Sequence, residues 1–174
     1  IERALKSDVP LVISLGTGRT LRKSVDAMPP MSCPQHKLVS LIGNAARDGS
    51  ATVYEVIMRL ADRVGARHYP LALPLIADDE ADRDFHLGLR HVQPALALAR
   101  RADVSFVGIG QIGEGAPLIV DGFIDRDGLD RLLERGAVGE IVGWAFDSEG
   151  RYLDGDVNAL INGLRAPTVA AAAV

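Results

Sequence analysis

"VPLVISLGTGRTL", residues 9–21, decides the fold. Residues 9–15 form an apolar, partly β-branched run with the length and composition of a buried strand. Gly16 and Gly18 break the run, and residues 17–27 read as a helix. A strand that ends in glycines and passes at once into a helix is the βα turn of an α/β protein. In parallel α/β sheets, ligands bind outside the carboxyl ends of the strands. The turn that announces the fold is therefore also the first candidate site. Glycines let a ligand approach the backbone, and a helix N-terminus offers N–H groups and a positive dipole end. Thr17 and Thr20 add hydroxyls, and Arg19 a guanidinium suited to phosphate. From the motif alone, a tight turn that holds nothing is an equal alternative. Two sharper motifs are excluded. A Walker loop needs lysine where Arg19 stands, and a dinucleotide fingerprint needs a third glycine where Leu21 stands.

Working outward, strands and helices alternate. "MPPMSCP", 28–34, is loop, because its three prolines cannot sit inside a helix. "KLVSLIG", 37–43, reads as a second strand ended by Gly43. Residues 50–65 give the clearest helix, with Ser50 as N-cap, Val53, Ile57, Leu60 and Val64 on one face, and Gly65 just past its end. "ARHYPLAL", 66–73, is a third strand that Pro70 assigns to an edge or an end. Helical stretches follow at 78–84 and 92–102. "DVSFVGIG", 103–110, reads as one continuous strand closed by two glycines. Residues 127–136 read as a helix opened by Asp127 and closed by Gly136. In 140–155, two short strands are joined by a turn at "DSEG". The expected architecture is α/β: a Rossmann-like parallel sheet with flanking helices, in one domain over 1–174.

Composition narrows the function classes. Aromatics are 5% of the chain, so the core is built from aliphatic residues. A single cysteine, Cys33, rules out an internal disulfide and a Cys-based zinc site. It fits a reducing cytoplasm. No apolar run is long enough to span a bilayer, and the first ten residues lack the apolar core of a signal peptide. Residues 1–101 carry 14 Lys/Arg and 11 Asp/Glu, whereas 102–174 carry 5 and 12. Neither part holds the clustered cations that a phosphate backbone requires, so this chain is not itself expected to bind nucleic acid.

Three strand ends are glycine-rich: "LGTGRT", "LIGN" and "VGIGQIG". His86 and His91 are five apart, not the four that place two metal ligands on one helix face. Cys33 has no local activator. Glu140, in "RGAVGEIVG", follows glycines and begins an apolar strand. Its carboxylate there can accept hydrogen bonds from hydroxyls or act as a base; an exposed charge at a strand end is the bland reading. No catalytic constellation, metal site or cofactor motif stands out.

With these residues assembled, the chain resembles the sugar-binding domain of the SorC family of bacterial transcriptional regulators. The matching stretches are "ISLGTGRTL", "LVSLIGN", "IMRLADRVGARHYPLALPLI", "ARRADVSFVGIG" and "LLERGAVGEIVGWAFDSEGR". The resemblance implies a fold related to glucosamine-phosphate isomerase, ribose-5-phosphate isomerase and CoA-transferase-like proteins. It implies a sugar or sugar-phosphate effector that controls operator binding, with no catalysis and no cofactor. Gly18, Arg19 and Thr20 would face a phosphate and Glu140 the sugar hydroxyls, with Gly16 also among the ligand-binding residues. Gly43, Asn44, Gly110 and Gln111 would line the same cleft. A sugar-phosphate isomerase or deaminase on the same fold is the alternative. The family further implies a cytoplasmic homodimer or homotetramer that reads operator DNA through a helix-turn-helix domain. Segments 70–76 and 116–124 look apolar enough to form its interfaces. That domain, and a closing segment with a phosphate-holding lysine, are expected outside these 174 residues, with 168–174 entering the sheet.

Overall fold

In the computed structural model, residues 1–46, 50 and 55–165 are described. The parallel strands are β1 (Val12–Leu15), β2 (Lys37–Ala45), β3 (Arg67–Pro74) and β4 (Val104–Phe106). The helices between them are α2 (Arg19–Asp26), α3 (Val56–Val64), α4 (Glu80–Gly88) and α5 (Gln93–Ala99), with α1 (Glu2–Leu5) ahead of β1. Then come β5 (Ile109–Gln111), α6 (Pro117–Val120), α7 (Arg126–Glu134), β6 (Gly139–Ile141), β7 (Trp144–Phe146) and α8 (Asp156–Ala159). The first sheet has the order β3-β2-β1-β4, all parallel. The second is antiparallel, β5-β6-β7. No helix among the described residues is long and apolar enough to cross a membrane.

β1 lies inside the sheet, where Ile13 pairs with Leu38 on one side and Val104 on the other and is wholly buried. Its alternate side chains feed two cores, as the strand period of two requires. Ile13, Leu15 and Leu38 pack with Leu21 and Val25 of α2 and with Ile57, Leu60 and Val64 of α3. Val39, Leu41, Leu71 and Leu73 pack with Leu96 and Ala99 of α5, and beyond them with Leu129, Leu132 and Trp144. Each such side chain contributes about 1.5–3 kcal/mol when fully buried. Three buried polar side chains, Ser14, Ser105 and His36, find partners within the fold. The Ser14 and Ser105 hydroxyls meet at 2.6 Å across the β1–β4 pair. The Nδ1 of buried His36 accepts the Leu11 N–H (3.1 Å), leaving its Nε2–H to donate to the Leu5 carbonyl (3.1 Å). Those two bonds set the neutral tautomer and tie α1 to the start of β1.

The structure departs from the sequence reading at several points. "DVSFVGIG" is not one strand: β4 ends at Phe106, and β5 belongs to the other sheet. The chain leaves the parallel sheet at Val107 and Gly108, a change of sheet that an apolar run does not reveal. The helix at 126–134 is capped by Asp125, whose Oδ1 accepts the Gly128 N–H at 2.8 Å; Asp127 lies in its first turn. The tight hairpin in 139–146 turns at Val142 and Gly143, while "DSEG" joins β7 to a single bridge at Tyr152. The described part of α3 has Glu55 at its N-cap position, and Ser50 lies outside the helix. Val53 lies outside the described residues, as does 168–174. Pro70 falls on β3, an edge strand, as expected. The apolar residues of 70–76 and 116–124 are not free interface surface. Leu71, Leu73, Leu75, Ala116, Leu118 and Phe123 are buried in this chain's own core, and among the large hydrophobics there only Val120 is exposed.

Gly43 does not end β2, which runs on to Ala45. It marks a close approach instead. A Cβ there would stand 2.6 Å from the Leu73 carbonyl oxygen and closer still to that of Pro74. The Gly43 N–H meanwhile donates to the Asn162 carbonyl at 2.8 Å. That bond belongs to a segment, 160–164, that crosses the ends of β2 and β3 through bridges at Ile42–Gly163 and Ile76–Ile161. Backbone cannot yield as a side chain can. Gly43→Ala is therefore expected to lower unfolding free energy by roughly 1–3 kcal/mol, measured by urea denaturation.

Candidate functional site

The turn from β1 into α2 was the first candidate, and α2 is built to leave it open. Gly18 occupies its N-cap position with φ +123°, a conformation that favours glycine, and no side chain caps the helix. No acidic residue lies in its first turn. α4, by contrast, begins with Asp79 accepting the Asp82 N–H at 2.8 Å. The first N–H groups of α2 have no intrahelical partner, and its first turn carries no carboxylate to compete for the positive end. A Cβ on Gly18 would meet nothing within 4 Å, so the glycine leaves room as well as backbone freedom.

This helix end opens onto a cavity of about 420 Å³ at the carboxyl ends of β1 and β2. Thr17, Gly18, Arg19, Thr20 and Leu21 form one wall. Gly108 to Gln111, where the chain changes sheet, form a second. Glu140, Val142 and Gly143 of the β6–β7 hairpin form a third, and α6 with Asp121 and Phe123 a fourth. Ile42 and Leu75 add apolar surface from the ends of β2 and β3. Arg19 is the one cationic side chain among the described residues that line it.

Glu140 is held from two sides. It lies opposite Gly110 in the β5–β6 pairing, and its carboxylate rests over the Gly110 Cα, in the space a side chain would take. Its Oε2 accepts the Gly143 N–H at 2.7 Å. Burial raises its pKa above the ordinary carboxylate value, and the Gly143 bond opposes that rise. The hairpin that supplies this N–H is strained. Val142 has φ +55° and Gly143 +86°. Two residues with positive φ make the tight turn that suits a twisted hairpin, but the first is β-branched. Such a conformation costs on the order of 1–3 kcal/mol and persists only where packing enforces it. Val142 is 5% exposed and faces the cavity.

Gly18, Arg19, Thr20, Gly110, Gln111 and Glu140 are thus brought together on one cavity. Gly16, Gly43 and Asn44 line a separate cavity of about 10 Å³ that shares Thr17 and Ile42 with the first. It has room for about one water molecule. Asn44 there donates from Nδ2 to Glu55 Oε1 at 2.9 Å. The sequence reading missed Asp121, Phe123, Leu75 and Val142. The Asp-Gly pair at 121–122 marks a turn, but nothing local shows that the turn faces a site.

Comparison with known proteins places the family and the fold. The family model described as "Putative sugar-binding domain" matches residues 1–173. The erythritol catabolism regulatory protein EryD of Brucella abortus is 32% identical over 143 residues, 82% of this chain and 45% of that protein. The chain belongs to this sugar-binding domain family. A DeoR family transcriptional regulator from Listeria monocytogenes shares the fold, with a TM-score of 0.82 at 18% identity over 94% of this chain and 63% of the other. The full-length sorbitol operon regulator SorC from Klebsiella pneumoniae does so with a TM-score of 0.74 at 21% identity, over 88% of this chain and 50% of the other. The sugar-binding domain described here spans about half the length of the curated relatives it matches.

Burial of Glu140 has a stability consequence. The folded domain holds its proton more tightly than the unfolded chain does. Ionisation therefore costs folding free energy, and the cost grows as pH rises from the ordinary carboxylate range through the raised folded value. Glu140→Gln removes that cost and keeps an acceptor for Gly143. In thermal denaturation the variant is expected to melt above the parent at about pH 8, with the gap closing towards about pH 4.

Proposed function

We propose that the 420 Å³ cavity binds a small phosphorylated sugar or polyol, and that this binding controls operator recognition by the whole regulator. The observation that carries the reading is the uncapped, acid-free N-terminus of α2 opening onto a cavity that also presents Glu140. Phosphate oxygens accept the free N–H groups of α2, and Arg19 and Thr20 stand beside them. Glu140 accepts from hydroxyls, and Leu75, Leu118 and Phe123 offer apolar surface to the C–H faces of the ligand. EryD, a regulator of erythritol catabolism by name, suggests four-carbon polyols and their phosphates as the first ligands to test.

In this reading the domain senses and does not turn over its ligand. Glu140 is the one part-buried carboxylate of the cavity that the sequence pointed to, and it accepts from a backbone N–H, that of Gly143. Operator DNA is contacted in the cytoplasm through a helix-turn-helix region outside these 174 residues, in a symmetric homodimer or homotetramer.

Gly18→Asp tests the anion site. Nothing stands within 4 Å of a Cβ there, but an aspartate at φ +123° is strained by roughly 1–3 kcal/mol, so circular dichroism is used to confirm that the variant is folded. The new carboxylate takes the place of the phosphate. Calorimetry with erythritol 4-phosphate, ribulose 5-phosphate and fructose 6-phosphate is expected to find a ligand for the parent. Its affinity for the variant is expected to fall more than about tenfold, a loss above roughly 1.4 kcal/mol. Unchanged affinity in a folded Gly18→Asp domain would sink the proposal.

A further inference from the structure

The β6–β7 turn touches both halves of the candidate site. The Gly143 N–H donates to Glu140 Oε2 at 2.7 Å. Val142, one residue earlier, reaches the other half. Its Cγ2 lies 3.4 Å from where a Cβ on Gly16 would stand, at the start of the turn into α2. Leu21 of α2 and the backbone of Val107 close around the same point, at 3.8 and 3.7 Å. The Gly16 N–H is bonded to the Phe106 carbonyl at 2.9 Å, so that end of the contact is held by the sheet. The other end has no slack either. A Cβ on Gly143 would stand 3.1 Å from Ile42 Cδ1 and 3.2 Å from Ile161 Cδ1, so the hairpin is seated on the core behind it. Val142 is thereby a strut. Its side chain bears on the turn that opens α2, and its backbone is tied through Gly143 to Glu140.

The hairpin does not select valine for its own sake. Two-residue turns with positive φ at both positions favour asparagine or glycine. Val142 holds φ +55°, which a β-branched residue avoids. What valine supplies instead is a stiff side chain, because branching at Cβ restricts χ1. That side chain lines the cavity and is buried where two elements meet. We infer that Val142 is a positioning residue that sets the separation of the anion turn and Glu140, so that the site selects its phosphorylated sugar or polyol by chain length: by the number of carbons between the phosphate ester and the hydroxyl that reaches Glu140. The inference rests on the proposed function, in which phosphate meets α2 and hydroxyls meet Glu140. With both ends of the ligand fixed by polar contacts, a chain one carbon short leaves Glu140 without its donor. A chain one carbon long must bend against Val142 or withdraw from α2. A firmly braced site distinguishes such neighbours, whereas a loose one adapts to both.

The test is titration calorimetry on the 174-residue domain with phosphorylated polyols of rising length: glycerol 3-phosphate, erythritol 4-phosphate, ribitol 5-phosphate and glucitol 6-phosphate. The parent is expected to bind one member at least about tenfold more tightly than those one carbon away. Val142→Ala removes the methyl groups that bear on Gly16, and is expected to narrow that ratio several-fold by weakening the best ligand most. Val142→Gly removes them too and suits the positive φ, so a folded variant does not depend on one substitution; circular dichroism checks both. Val142→Thr keeps the branch and its Cγ2, and is expected to keep the ratio. A merely structural role would shift the melting temperature and scale every affinity alike, leaving the ratio where it was. Equal affinity along the series in the parent overturns the inference and leaves the proposed function standing. So does a ratio unchanged in a folded Val142→Ala or Val142→Gly domain. If no phosphorylated ligand binds the parent, the proposed function falls, and this inference with it.

Discussion

β1 is bonded along both edges, and that pairing sets where everything else must lie. Because β2 and β4 run parallel to it, their carboxyl ends and its own reach the same side of the sheet. Parallel pairing also needs long crossovers, and here these are the helices that bury both faces. Four residues, Val12 to Leu15, therefore fix the direction of α2, the place where β4 ends and the opening between them. The Gly16 N–H, one residue past β1, still bonds the Phe106 carbonyl at 2.9 Å. That bond clamps the candidate anion turn to the point where the chain leaves the sheet. The second sheet follows from the same constraint. With β4 at an edge, the chain crosses over the carboxyl ends, and β5-β6-β7 closes the cavity from above them.

Around Glu140 the local rules of good folding are broken three times. Gly110 gives up a side chain in a strand, Val142 adopts a left-handed backbone conformation, and a carboxylate is partly withdrawn from water. Each change costs stability by itself. Together they serve one end, since Gly110 makes the space, and the Val142–Gly143 turn aims the N–H that fills one lone pair of Glu140. Sites where local preference and tertiary structure disagree are where function concentrates. A buried carboxylate that packing alone required would be better replaced by an apolar side chain.

Much of this was legible in the sequence because the physics involved is local. The apolar run at 9–15, the helix of α3 with Gly65 at its end, the acidic start of α4 and the edge position of Pro70 each follow from periodicity or from the backbone limits of one residue type. The glycine turn and Glu140 were legible for the same reason, since a small-residue turn and an isolated acid beside glycines contrast with their surroundings. What was not legible depended on distant partners. Gly43 reads as a terminator, but its lack of a side chain answers to carbonyls about thirty residues away. The split between Phe106 and Ile109 needs a second sheet to give it meaning. Val142 carries no turn signal at all, because tertiary packing holds a residue there that the turn would not choose. Asp121 sits in an unremarkable Asp-Gly turn until the fold brings that turn over the cavity.

The arrangement also fits sensing on energetic grounds. A ligand shifts an equilibrium only by the difference in its affinity for two states. A site that is already shaped spends little of its binding energy on ordering itself. The cavity walls are secondary structure or its immediate caps: α2, the β5–β6–β7 sheet, α6 and the ends of β2 and β3. Glu140 has one oxygen committed to Gly143. Its burial makes the unliganded charge costly, so hydroxyl donors that reach it relieve a penalty the fold already carries. Binding at such a carboxylate and stability of the domain are then the same quantity seen from two sides, because whatever satisfies Glu140 also tightens the hairpin, β5 and the turn at Gly16 against which Val142 packs.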